Sequence, residues 1–174
     1  MKLKYMKQLP FVFTAFLVFF IVTTSCSQKN SGRSSSLVGV FVGSTPCSQG
    51  TRPVPGISMN TDCELIKWNL TLFQDQTNNT AATYKLHCTY GLPQQGTTGF
   101  IHGGKQVDLE GKWTIDKGTA PNSRTIIYRL HDQTNKTISF LKLNDNLLHL
   151  LDNDGRLMIG SAAWSYTLNK IDPK

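Results

Sequence analysis

The residue whose surroundings most clearly indicate chemistry is Cys26. An apolar run, Phe11–Val22, follows a basic start and leads through Thr23, Thr24 and Ser25 to this cysteine. A basic start, an apolar run and small residues before a cleavage point are typical of a secretory signal. A thiol at that point favours lipid modification, although Thr23 stands where such signals usually carry leucine. The sequence therefore predicts a signal peptide over 1–25 and a lipidated Cys26.

Two other interpretations of the N-terminus are an uncleaved membrane helix and an ordinary secretory signal. The apolar run Phe11–Val22 is shorter than the roughly 20 residues that a helix needs to cross a bilayer. Lipidation of Cys26 therefore remains the favoured interpretation, with a polar tether over 26–36 and a folded domain over 37–171. Lipidation of Cys26 predicts that a membrane is one partner of the protein.

Three further cysteines, Cys47, Cys63 and Cys88, could form one intramolecular bridge and leave one thiol over. Export would place them where disulfides persist. Cys47 and Cys63 flank a segment rich in proline and glycine, and a loop of that size gains about 3 kcal/mol from closure in the chain-entropy model. We expect a Cys47–Cys63 disulfide. Cys88 alternates with apolar residues, which predicts a buried, inert thiol.

Charge argues against nucleic acid as a partner. The chain has 18 basic and 11 acidic residues, but three of the lysines precede Cys26, so the mature chain carries 15 against 11, or +4. The remaining basic residues are scattered among acidic ones and form no stripe among aromatic residues.

Short segments of period-two alternation, separated by turn residues, follow the tether. No segment keeps a helical period over three turns. The pattern predicts an all-β domain, a small antiparallel up-and-down, lipocalin-like β-barrel of about eight to ten short strands, with a β-sandwich as the alternative. The candidate strands are Leu37–Gly43, Glu64–Phe73, Thr83–Tyr90, Gly96–Gly104, Val107–Ile115, Thr125–His131, Thr137–Leu143, Leu147–Leu151, Leu157–Ile159 and Ala163–Leu168.

A series of landmarks spans nearly the whole mature domain. They are Gly39-Val40-Phe41-Val42-Gly43, Pro46-Cys47, Asp62-Cys63, Thr83-Tyr84-Lys85-Leu86, Gly111-Lys112-Trp113, the Leu147–Gly155 segment and Tyr166–Lys170. In this order, after a lipoprotein signal, they resemble the N-terminal domain of NlpE-type copper-resistance lipoproteins. The resemblance implies a lipocalin-like barrel at the outer membrane, with its domain in the periplasm, that acts in envelope stress or copper response and contacts an envelope signalling protein.

The resemblance also raises copper as a cofactor. Copper(I) prefers thiolate and thioether ligands, and Cys47, Cys63 and Met59 are the candidates in the proline-rich segment. The family usually has Cys-x-x-Cys, whereas here Ser48–Asp62 separates the two cysteines. A structural disulfide without metal is therefore the favoured interpretation, and copper is the alternative.

An enzyme is not indicated, because the sequence lacks the common nucleophile, phosphate-binding and zinc motifs. The four histidines lie in different segments without ligand spacing, and only His102, in a glycine-rich turn, stands out. The second functional hypothesis is a carrier of a small hydrophobic ligand in a barrel lined by Trp68, Tyr84, Trp113, Tyr128 and Trp164. The sequence favours a filled barrel that serves as a non-catalytic sensor or interaction module.

Overall fold

A computed structural model describes residues 34–47, 54–117, 125–134, 136–161 and 163–172. Contacts divide the chain into Met1–Ser31 and Gly32–Lys174. The predicted signal peptide and Cys26 lie outside the described residues. Within the described ranges, no helix is both long enough and apolar enough to span a membrane.

The second unit is a closed antiparallel barrel in which each strand pairs with the next and the last pairs with the first. Its eight strands confirm the predicted fold class. They are β1 (Ser35–Pro46), β2 (Leu65–Asp75), β3 (Ala81–Gly91), β4 (Lys105–Lys117), β5 (Ile126–His131), β6 (Thr137–Asn144), β7 (Leu147–Leu150) and β8 (Thr167–Ile171).

Period-two alternation fills the interior. Ile66, Trp68, Leu70 and Leu72 of β2 are buried, as are Tyr84, Leu86, Cys88 and Tyr90 of β3, while the residues between them are more exposed. Both sets are the faces that the sequence predicts. The alternation places every second side chain inside because successive residues of a strand point to opposite faces.

The up-and-down topology gives the barrel two distinct ends. The start of β1 and the connections after β2, β4 and β6 lie at one end, which we call the tether end. The connections after β1, β3, β5 and β7 lie at the opposite end, which we call the far end. Cys47 and Cys63 are therefore at the far end.

Gly111 permits the close approach of β4 and β5. A Cβ atom at this position would lie 2.2 Å from the carbonyl oxygen of His131 and 3.1 Å from the ring of Tyr84. Only glycine leaves room for the backbone of β5 and the buried Tyr84 ring together.

Three predicted strands are wrong. Gly96–Gly104 forms a turn and a short 3₁₀ helix, Ile101–Gly103, because its glycines adopt positive φ values and supply few side chains to a sheet. Leu157–Ile159 contributes only an isolated bridge between Leu157 and Leu151. The closing strand begins at Thr167 rather than Ala163, so much of Ala163–Leu168 belongs to a loop.

Two boundaries also differ. β1 begins at Ser35, inside the predicted tether, because Ser35 and Ser36 pair with Asp75 and Gln74 although their side chains are polar. The same strand continues to Pro46, past its predicted end at Gly43. Main-chain hydrogen bonds between β1 and β2 continue past the residues whose side chains alternate, so the strand is longer than the alternating pattern in the sequence.

Candidate functional site

The far end is organised around the Cys47–Cys63 disulfide, which confirms the predicted pairing. The Cα atoms of the two residues are 5.3 Å apart. The bridge follows directly on the last β1–β2 pair, Pro46 with Leu65, and the N–H of Cys47 donates to the carbonyl of Glu64 at 3.0 Å. The disulfide therefore joins the end of β1 covalently to the segment that leads into β2, just beyond the last main-chain pair of the two strands.

Part of the segment between the cysteines closes the far end of the barrel. Val54 and Ile57 are buried and belong to the same apolar cluster as the interior side chains of the strands. Gly56, with a φ of 90°, makes the turn between them and lies against Val107 at the start of β4. We call Val54–Cys63 the plug, because its apolar side chains complete the core that the strands leave open.

A second loop, Leu92–Gly104, lies beside the plug. Its bridge between Pro93 and Phe100 buries the Phe100 ring, and the Lys67 ammonium lies 5.4 Å from the centre of that ring. Lys67 Nζ also donates to the carbonyl of Thr98. The loop is thus tied to the outer wall of β2.

His102, which the sequence singles out, is exposed in the Leu92–Gly104 loop. Its φ of 53° is in the left-handed region, where few residues other than glycine are found. A shallow cavity of about 320 Å³ separates this loop from the plug, and Asp62, Tyr90 and Lys105 line it together with His102. This arrangement brings one acid, one base and one imidazole to the same surface.

The proposed copper ligands do not fit copper(I) in this form of the protein. Cys47 and Cys63 are buried and bonded to each other, so neither offers a thiolate. Met59 lies on the outside of the plug with 54% of its surface exposed. Across the described ranges, no group of three His, Cys, Asp or Glu side chains is placed to hold a metal ion.

Cys88 is free and buried, as predicted. Burial, reinforced by the negative charge of Asp108, raises the pKa of the Cys88 thiol well above its usual range. The thiol is the unreactive form of cysteine, so Cys88 acts as a small apolar side chain.

Most of the aromatic side chains predicted to line the barrel do so. Trp68, Tyr84, Trp113 and Tyr128 are buried, whereas Trp164 is 43% exposed on the loop before β8 and its predicted interior position is wrong. That loop folds back on itself through the Ser161–Trp164 bridge, which turns Trp164 away from the core.

Each buried tryptophan has a polar anchor. The Trp68 Nε1–H donates to Thr45 Oγ1 at 2.8 Å, and the Trp113 Nε1–H donates to the Phe73 carbonyl at 2.7 Å. Trp113 also packs edge-on against Tyr128, with 4.8 Å between ring centroids. These anchors fix both rings in the interior and leave it filled by side chains.

The outer wall carries one group of side chains that sequence reasoning missed. His87 Nδ1 lies 2.7 Å from Asp108 Oδ1, and His87 Nε2 lies 3.4 Å from Thr89 Oγ1. This order of hydroxyl, imidazole and carboxylate resembles a catalytic triad. Only the β3–β4 register, which pairs His87 with Asp108, brings it together.

The Thr89–His87–Asp108 group is open to solvent. The side chains of His87 and Asp108 are 44% and 76% exposed, and a groove of about 550 Å³ on the outer face of β2–β4 runs past them. Water screens such a pair and competes for its hydrogen bonds, so the pair contributes little to stability.

The other two strand histidines have structural partners. His131 Nε2 lies 3.1 Å from the Thr114 hydroxyl, and His149 Nε2 lies 2.8 Å from the Met158 carbonyl. The second contact holds the loop after β7 against the barrel.

Compared with protein-family models, with curated proteins and with solved structures, the chain gives no match.

Proposed function

We propose that this chain is a lipid-anchored, non-catalytic β-barrel of the bacterial cell envelope that acts as a sensor or interaction module. The proposal joins the lipoprotein signal at Cys26 with the resemblance to NlpE-type lipoproteins. It places the domain in the periplasm at the outer membrane, with an envelope signalling protein as its partner.

The observation that carries the proposal is the packed interior, which the plug closes at the far end. Side chains of β1 to β8 and of the plug form one apolar cluster, and the disulfide holds the plug at the far end. A carrier needs a cavity of about 300 Å³ or more for its ligand. A cavity of about 550 Å³ lies on the outer wall of β2–β4, which favours a module that works through its surface.

The disulfide supports an exported domain. Bridges of this kind persist in oxidising compartments and are rare where glutathione keeps thiols reduced. Copper is not part of the proposal, because thiolates at Cys47 and Cys63 would first require reduction of the bond.

The test is fractionation of cells that express the full chain. In a Cys26→Ala variant, the barrel should move from the membrane fraction to the soluble envelope fraction, or remain as the unprocessed chain. Cys88→Ala is the matched control, since it removes a different cysteine and should leave the protein with the membranes. Mature Cys26→Ala protein that stays fully membrane-bound would contradict the lipid anchor.

A further inference from the structure

Exposed apolar side chains of the strands are confined to one end of the barrel. Four large hydrophobic residues within strands are between 42% and 49% exposed: Leu37, Ile115, Leu143 and Ile171. Leu37 lies near the start of β1, Ile115 and Leu143 near the ends of β4 and β6, and Ile171 at the end of β8. All four positions belong to the tether end, and we call them the apolar rim.

The strand geometry accounts for their exposure. Ile115 continues the inward alternation of Trp113 but lies beyond the filled part of the core. Leu37 and Leu143 lie at register shifts of β1 and β6, where the alternation of faces is interrupted. Ile171 pairs with Val40 of β1, which places it on the strand next to that of Leu37.

Loops at the far end also expose single apolar side chains, namely Met59, Ile101, Leu157, Ile159 and Trp164. What distinguishes the apolar rim is the chain that leads to it. Ser34 is joined at this end to the N-terminal segment, and Ser35 follows Cys26 by only nine positions. A flexible chain of that length spans about 15–20 Å on average, and no more than about 32 Å when extended.

We propose that the apolar rim rests on a phospholipid bilayer, with Leu37, Ile115, Leu143 and Ile171 entering the boundary between headgroups and acyl chains. The inference deepens the proposed function, because the tether from a lipidated Cys26 brings this end to the membrane. A short tether raises the effective concentration of the rim at the lipid surface, so a weak intrinsic affinity is sufficient. The far end then points away from the bilayer.

The size of the rim favours lipid over a second copy of the chain. Four half-exposed aliphatic side chains present on the order of 350 Å² of apolar surface, whereas a stable protein interface buries about 800 Å² on each partner. Membrane association has no such threshold, since each buried methylene group adds to the affinity.

Charged residues around the rim are compatible with a headgroup layer. Asp116 and Asp145 are paired with Arg129 and Lys142. Lys117 and Lys170 lie close in sequence to Ile115 and Ile171, and long lysine side chains can keep their amino groups at the interface while their stems lie against apolar surface. Asp172 is the acidic residue next to Ile171.

The experiment uses the Gly32–Lys174 fragment, which contains all eight strands, the core and the disulfide but lacks Cys26. The fragment is floated with vesicles of phosphatidylethanolamine and phosphatidylglycerol. The rim variant carries Leu37→Ser, Ile115→Ser, Leu143→Ser and Ile171→Ser. The matched control removes four exposed apolar side chains at the far end through Met59→Ser, Ile101→Ser, Leu157→Ser and Ile159→Ser.

We expect the parent fragment to bind vesicles weakly, on the order of the affinity of one myristoyl chain. The partition coefficient of the rim variant should fall at least about tenfold, because the loss of even one half-exposed aliphatic side chain from the lipid surface costs roughly that factor. The control should change less than about twofold. Near-ultraviolet circular dichroism and protection of Cys88 from thiol reagents verify that each variant is folded.

Three results would overturn the proposal: no vesicle binding by the folded parent fragment at millimolar lipid, an equal loss of vesicle binding in both variants, or a dimer of the parent fragment that the rim substitutions dissociate. The dimer would identify a second copy as the occupant. Because the fragment has no Cys26, this experiment is independent of lipidation. Mature Cys26→Ala protein that stays membrane-bound in the fractionation test and a parent fragment that binds no vesicles here therefore report separate failures.

Discussion

The two ends of this barrel differ in how the apolar side chains at the ends of the strands are covered. At the far end, long connections return to the core, so Val54, Ile57 and Phe100 cover the strands and the Cys47–Cys63 bridge holds the plug. At the tether end, the described connections between strands are short turns, and the apolar side chains of the rim stay half-exposed. Within the described residues, one end is closed by the chain itself and the other is not.

The comparison shows why period-two alternation alone does not predict which apolar side chains of a barrel are exposed. Both ends are made from strands with the same period, and among the described residues only the far end has connections long enough to bring apolar side chains back over the core. The bilayer contact proposed above would cover the apolar rim in place of such a loop.

The largest expected effect is the loss of stability when the buried tryptophan near either end of the barrel is replaced. Trp68 lies toward the far end and Trp113 toward the tether end. Replacing either with alanine should reduce the free energy of unfolding by about 3–5 kcal/mol, because a large aromatic side chain leaves a cavity. Denaturant titration measures the loss. A cost below about 1 kcal/mol at one end would show that this end carries no part of the core.

Removal of the disulfide should lower the stability of the whole barrel and loosen the far end first. The Cys47→Ala, Cys63→Ala double variant should lose about 3 kcal/mol in the free energy of unfolding, since the bridge no longer restricts the unfolded chain. Hydrogen exchange should increase most in the plug and at the start of β2, while amides near Trp113 lose no more protection than the global loss of stability accounts for.

A reducing agent should lower the stability of the parent protein and leave the double variant unchanged. If reduction destabilises both equally, the stabilisation comes from elsewhere in the chain. Mass mapping of the non-reduced protein should join the peptides of Cys47 and Cys63 and leave Cys88 free.

The smallest effect concerns Tyr84, whose hydroxyl is buried without a hydrogen-bond partner among the described residues. Tyr84→Phe should change the free energy of unfolding at neutral pH by less than about 1 kcal/mol, because no hydrogen bond is lost. A loss above about 2 kcal/mol would indicate a hydrogen-bonded water or partner at this hydroxyl.

The same variant should show its effect in alkali. Burial, and to a lesser degree the charge of Asp132, raises the pKa of Tyr84 from 10.0 to about 12. Between these two pH values the unfolded chain releases the phenol proton and the folded chain keeps it, so stability falls as pH rises. Tyr84→Phe should make this alkaline decrease shallower, as thermal unfolding measured from pH 9 to 12 would show.

The sequence predicts the interior well where an alternating run meets a partner of the same kind. Leu70 pairs with Leu86, which pairs with Leu109, so the predicted inward faces of β2, β3 and β4 meet in register. The prediction of strands fails in segments that are rich in glycine or joined by turns. In Gly96–Gly104 and Ala163–Leu168, local loop bridges compete with strand pairing, and nothing in the local sequence decides between them.

The sequence by itself determined the all-β class, the inward faces of the long strands, the pairing of Cys47 with Cys63 and the burial of Cys88. These follow from local periodicity and from the few ways in which three cysteines can pair. The tertiary structure alone decided the closure of β1 on β8, the burial of Val54 and Ile57 in the core, the approach of Thr89, His87 and Asp108, and the gathering of the apolar rim at one end. Each of these depends on which strands are neighbours and in what register, and that information is carried by contacts between residues far apart in the chain.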